Sequence, residues 1–104
     1  MCREYTKEEI REQFLKYLID IKKYWIDLPG KTLEERMSGL LFTFLYTLDG
    51  SSIELPGFLL VPNSNKDDKE YYQGKNENWY PEVPDVELCD IGGALHEIYC
   101  NMDK

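Results

Sequence analysis

Apolar residues in the first quarter of the chain fall at Ile10, Phe14, Tyr17, Leu18, Ile21, Tyr24 and Trp25, three and four apart. Glu8, Arg11, Glu12, Lys16, Asp20 and Lys23 fill the other side, and the period predicts an amphipathic helix of about twenty residues. Thr6-Lys7-Glu8-Glu9 opens it as a capping box, in which hydroxyl and carboxylate each satisfy a free N–H of the first turn. Leu28-Pro29-Gly30 closes it.

The pattern then repeats. Thr32-Leu33-Glu34-Glu35 is a second capping box, followed by Met37, Leu40, Leu41, Phe44, Leu45 and Leu48. Phe42 and Tyr46 widen the stripe until the helix is apolar nearly all round, which predicts a central, buried element with Leu41, Phe44 and Leu48 in the core. Gly39 costs about 1 kcal/mol against alanine in a helix interior, so another backbone is expected to approach it closely. Asp49-Gly50 ends the helix with turn chemistry.

Beyond it, Ile53 to Val61 reads as a strand bent at Pro56-Gly57 and stopped by Pro62. Val86-Glu87-Leu88-Cys89 is its expected antiparallel partner. Asp90 then predicts an N-cap for a last helix with the stripe Ile91, Leu95, Ile98, Tyr99 and Met102. Between the strands, Asn63 to Asp85 is too long for an ordinary hairpin connection. Asp67 to Gly74 supplies one or two helical turns there, and the polar stretch after it carries Trp79-Tyr80. The fold class expected is therefore α+β, one domain over residues 1–104. It has two amphipathic helices, a short two-stranded antiparallel element with a long insertion, and a C-terminal helix.

Composition narrows the setting. No apolar run reaches the roughly 20 residues a membrane-spanning helix needs, and no apolar segment follows Met1, so a cytoplasmic protein of a bacterial cell is expected. Cys2, Cys89 and Cys100 are odd in number and lack disulfide spacing, which predicts free, buried thiols. The net charge of −8 is lopsided: eight basic and eight acidic residues through Arg36, then four basic and twelve acidic ones. An acidic half repels a phosphate backbone and favours a basic protein surface, so nucleic acid is not an expected partner.

Several residues could carry chemistry. Trp79 and Tyr80 on a polar loop either fold back on the core or anchor a contact. Gly92-Gly93 at a helix start would expose N–H groups to an anion, although Asp90 competes for them and close helix packing is an alternative. Arg36 on the first turns of a buried helix requires Asp49, Glu97 or an external anion. His96 with Cys89 and Cys100 has the donor types of a zinc site but lacks a Cys-x-x-Cys pair, so no metal or cofactor is expected. His96 beside Glu97 admits a small-enzyme reading, weakened because adjacent helical residues point about 100° apart.

Glu35-Arg36-Met37-Ser38-Gly39-Leu40-Leu41-Phe42, Leu48-Asp49-Gly50, Leu55-Pro56-Gly57-Phe58 with Pro62, Glu77-Asn78-Trp79-Tyr80-Pro81 and Asp90-Ile91-Gly92-Gly93 with Leu95-His96-Glu97 together resemble small acidic accessory proteins of phages and prophages. The likeness spans roughly residues 32 to 100 and gives no residue a role. It implies a setting in which short proteins bind and neutralise host factors, immune machinery included.

Three functions follow as expectations. The first is a non-catalytic counter-defence protein that sequesters a small nucleotide-like signal, with ligand-binding residues Arg36, Trp79, Tyr80, Gly92, Gly93 and His96. The second is an inhibitor whose acidic C-terminal half covers a basic groove of a host defence protein. The third is a small enzyme using His96. A homo-oligomer is expected as well, because the aromatics exceed what one small core can hide.

Overall fold

The computed structural model describes residues 2–63, 67–81 and 86–103. Among these there are five helices and no strand: α1 (Lys7–Asp27), α2 (Leu33–Leu48), α3 (Asp68–Gly74), α4 (Val86–Cys89) and α5 (Leu95–Met102). The all-helical architecture corrects the expected α+β fold.

The helices predicted by periodicity form as expected. Thr6 and Thr32 both make complete capping boxes, with Glu9 and Glu35 returning the bond to the cap N–H. Five residues, Leu28 to Thr32, turn the chain so that α1 and α2 pack as an antiparallel hairpin. α2 ends in a Schellman motif. Gly50 takes φ +81° and donates to the Thr47 carbonyl, and Ser51 donates to Tyr46.

The expected strands fail for a local reason. Pro56 and Pro62 cannot donate, and the chain between them bonds elsewhere: the N–H of Phe58 goes to the carbonyl of Leu48, 3.0 Å away. Phe58 then packs its ring on Phe14 of α1, with centroids 5.1 Å apart. Among the described residues, the backbone link from this segment to the C-terminal part is the bond from Ile91 N–H to the Leu60 carbonyl at 2.7 Å. The carboxylate of Asp90 completes it by accepting from the N–H of Leu60 at 2.7 Å and of Gly92 at 2.9 Å. One side chain thus replaces a ladder partner. Val86–Cys89 coils into a single helical turn, and the last helix begins at Leu95, so Asp90 is not its cap.

Gly39 faces a side chain where a backbone was expected. A Cβ there would overlap the six-membered ring of Trp25, whose indole N–H donates to Thr43 at 3.0 Å. The close backbone approach lies at Gly50 instead, where a Cβ would sit 2.9 Å from the Cα of Gly57.

α2 is central, lying against both α1 and α5, but it is not buried all round. Thr47 and Leu48 are buried, Phe44 is half-buried, and Leu41 is exposed, which corrects its expected core placement. Among the described residues, the buried apolar side chains are Ile21, Leu48 and Leu55. The molecule is a slab of 51 × 47 × 19 Å with a radius of gyration of 17.6 Å, against about 13 Å for a compact domain of this length.

Candidate functional site

The residues singled out in the sequence fall in three places. Arg36 lies at the corner between α1 and α2. Its guanidinium donates to the carbonyls of Trp25 at 2.6 Å, Ile26 at 2.5 Å and Lys31 at 3.2 Å. These are orphan carbonyls at and just beyond the C-terminal end of α1, where the helix dipole is negative and a cation is welcome. The partner of Arg36 is therefore the end of the preceding helix. Neither Asp49 nor Glu97 is among these acceptors.

Gly92, Gly93 and His96 form the second place, at the start of α5. Gly93 with φ +87° and Ala94 with φ 56° both adopt the left-handed conformation, which turns the chain sharply into the helix. Asp49 from the end of α2 fills the site that results. One carboxylate oxygen accepts from the N–H of Gly93 at 3.1 Å; the other accepts from the His96 N–H at 3.0 Å and from His96 Nδ1 at 2.5 Å. A carboxylate only accepts, so Nδ1 carries the hydrogen. The Asp49 side chain is 2% exposed. Burial alone would raise its carboxyl, but the N–H and ring of His96 and the N–H of Leu95 outweigh it, and the pKa is held below the ordinary value. The helix start that looked open to an external anion is thus occupied by an internal one.

The imidazole of His96 stands edge-on to the rings of Phe42 and Tyr46, with centroids 5.4 and 5.1 Å away. Its Nε2 has Glu97 Oε1 at 3.9 Å. A buried carboxylate orienting a histidine is half of a nucleophile-activating arrangement. No hydroxyl or thiol is among the described polar contacts of the ring. The pair fixes the Nδ1 hydrogen and the start of α5 in place.

Trp79 and Tyr80 make the third place. They lie beyond α3, the helical turns expected within the insertion, and with Tyr72, Glu77 and Asn78 they line a recess of about 400 Å³. Asn76 at φ 57° makes the turn that brings this strip back, and the N–H of Glu77 donates to the Tyr72 carbonyl at 3.0 Å. Trp79 and Tyr80 are both exposed. The ammonium of Lys69 sits 5.5 Å from the indole centroid of Trp79, and that of Lys75 sits 4.6 Å from the ring of Tyr71. Residues 64–66 and 82–85 of the expected insertion lie outside the described residues. Arg36, Gly92, Gly93 and His96 do not line this recess, so the six residues expected to share one pocket are not brought together there.

Among the described residues no group of three or more histidine, cysteine, aspartate or glutamate side chains is placed to hold a metal ion. Cys2 and Cys100 are exposed and Cys89 half-buried, all as free thiols, where buried ones were expected. Among the described residues no helix is long and apolar enough to cross a membrane. Asp49 is the residue that sequence reading undervalued. Its position before Gly50 explained it as a turn former, and nothing local signals that it will cap α5 at His96, 47 positions away. Compared with protein-family models, with curated proteins and with solved structures, the chain has no match.

Proposed function

We propose that this chain is a non-catalytic binding protein whose recognition element is the aromatic strip beyond α3, and that it takes a basic surface of another protein. The observation that carries this reading is the recess formed by Tyr72, Trp79 and Tyr80 beside Glu77. Aromatic faces with a carboxylate attract ammonium and guanidinium groups. Lys69 over Trp79 is an internal instance of that contact. An arginine or lysine of a partner would take the same place, and Trp and Tyr are the usual anchors of protein interfaces. The net charge of −8 adds long-range attraction to such a partner and opposes a polyanion. Arg36 and the start of α5, the expected phosphate contacts, are engaged internally, which weighs against a phosphorylated ligand. The resemblance to phage accessory proteins supplies the proposed setting, inhibition of a host defence protein.

A second reading rests on the same recess. A volume of about 400 Å³ lies within the range of small-molecule sites, about 300–1,000 Å³. A nucleobase stacked on Trp79 would displace Lys69 toward its phosphate.

Affinity capture from a bacterial lysate, parent against Trp79→Ala/Tyr80→Ala, tests the first reading. One discrete basic protein should be retained by the parent, released by salt and lost with the double variant, whose melting temperature stays close to that of the parent. A thermal-shift screen with nucleotides and cyclic nucleotides tests the second. Ligand at 100 times its Kd adds about 2.7 kcal/mol, and a shift of that size lost in Trp79→Ala would replace the protein reading with the nucleotide one.

A further inference from the structure

One side of the α1–α2 hairpin is apolar and uncovered. Leu15, Ile19 and Ile26 of α1 and Leu33, Met37 and Leu41 of α2 are between 47% and 70% exposed. Between these two rows runs a groove of about 260 Å³ walled by Leu18, Ile21, Lys22, Leu40, Leu41 and Phe44. Spacings of four and seven in α1 and of four in α2 keep each exposed row on one helix face beside that groove, with Leu41 shared by row and wall, a ridge-and-groove surface of the kind that packs in helical bundles.

We propose that a second copy of this chain covers this side, hairpin against hairpin about a two-fold axis, so that the protein is a homodimer. Area is the first argument. A folded chain of 12.3 kDa leaves about 6,100 Å² accessible when it stands alone. This chain leaves 8590 Å² accessible, an excess of about 2,500 Å² over that expectation. Covering half the excess on each of two copies buries about 2,500 Å² in total, within the range of obligate homodimers.

Charge is the second argument, and it selects the occupant. Residues through Arg36, which include all of α1 and the start of α2, carry eight basic and eight acidic side chains and no net charge. Two such faces meet without like-charge repulsion, whereas the remainder, with the whole −8, would repel its own copy. Lys22 is the one charge among the groove residues, and its stem can lie along the apolar wall while the ammonium reaches the rim. A fold with so little buried needs its cover whenever it is made, and its own copy is the partner always present.

Sedimentation equilibrium of the full chain should give twice 12.3 kDa at micromolar concentration. Met37→Glu/Leu41→Glu should lose that association, while Leu59→Glu, on an exposed residue of the segment after α2, should keep it. Peroxide oxidation of the unmutated protein gives an independent reading, because Met37 and Met102 are both exposed in the single chain. In the dimer Met37 should oxidise several-fold more slowly than Met102, and dilution should abolish the difference. A parent of single mass over the whole concentration range overturns the proposal, as does a double variant that keeps the double mass. Equal oxidation of the two methionines in a protein of double mass would overturn this face. Should the double variant fail to fold, the parent's mass and methionine rates still decide.

Discussion

Asp49 accepts three hydrogen bonds, one from Gly93 before α5 and two from His96 within it, and its ionised form makes all of them. An amide at that position would turn an N–H₂ toward at least one N–H donor, so Asp49→Asn should cost about 1.5–3 kcal/mol near neutral pH. The sign of the acid dependence follows from the depressed pKa. The unfolded chain takes up the proton first, so the stabilisation is complete above the ordinary carboxylate range and is lost as pH falls through the folded value. Urea titrations at neutral pH and at about pH 3 should therefore show the gap between parent and Asp49→Asn narrowing in acid. A gap that widens there would contradict this account of Asp49. Gly39 is a second residue of this kind. Alanine would gain about 1 kcal/mol of helix propensity, but its methyl displaces the Trp25 ring, and overpacking of that order costs up to about 3 kcal/mol. Gly39→Ala should lower the melting temperature and shift tryptophan emission to the red; a more stable variant would mean that the indole yields freely.

Among elements, the hairpin joint decides most. Arg36 ties the end of α1 to the start of α2 through three carbonyls. Arg36→Ala should lose about 1.5–3 kcal/mol, as expected for bonds to a charged group. Arg36→Lys should recover only part, because one ammonium cannot span a fork of acceptors. Thermal melts of the two variants check this, and an unchanged Tm in Arg36→Ala would return the guanidinium to the list of groups available for a ligand. The two long helices were legible because Thr6, Glu9, Thr32 and Glu35 cap them by contacts within four residues, and periodicity over many residues averages out local exceptions. The strand at Ile53 to Val61 was not legible as a loop. Its residue types suit a sheet, and whether they form one depends on a partner strand that Asp90 and the backbone bond from Ile91 to Leu60 replace.

At the scale of the whole molecule, the slab shape and the sparse burial go together. If a second copy completes the fold, folding and association are one equilibrium, and Tm should rise with protein concentration in differential scanning calorimetry, each dilution lowering it. A Tm independent of concentration would mean that the single chain suffices. Of the six residues expected at one site, Trp79 and Tyr80 share a recess, whereas Arg36, Gly92, Gly93 and His96 are engaged elsewhere within the fold.

Local chemistry explains which parts could be read directly. Caps, helical period, turn glycines and net charge depend on neighbours a few residues apart or on no neighbour at all, so the sequence alone determined the α1–α2 hairpin elements, the helical turn at Asp68–Gly74 and the acidic second half. Tertiary structure decided that Asp49 caps α5, that Arg36 caps α1, that Trp25 fills the space at Gly39 and that Leu41 faces outward. Each of these is a contact between segments distant in sequence or a choice among several apolar faces of one helix. Periodicity shows that a face is apolar, but only the packed partners show which face is covered.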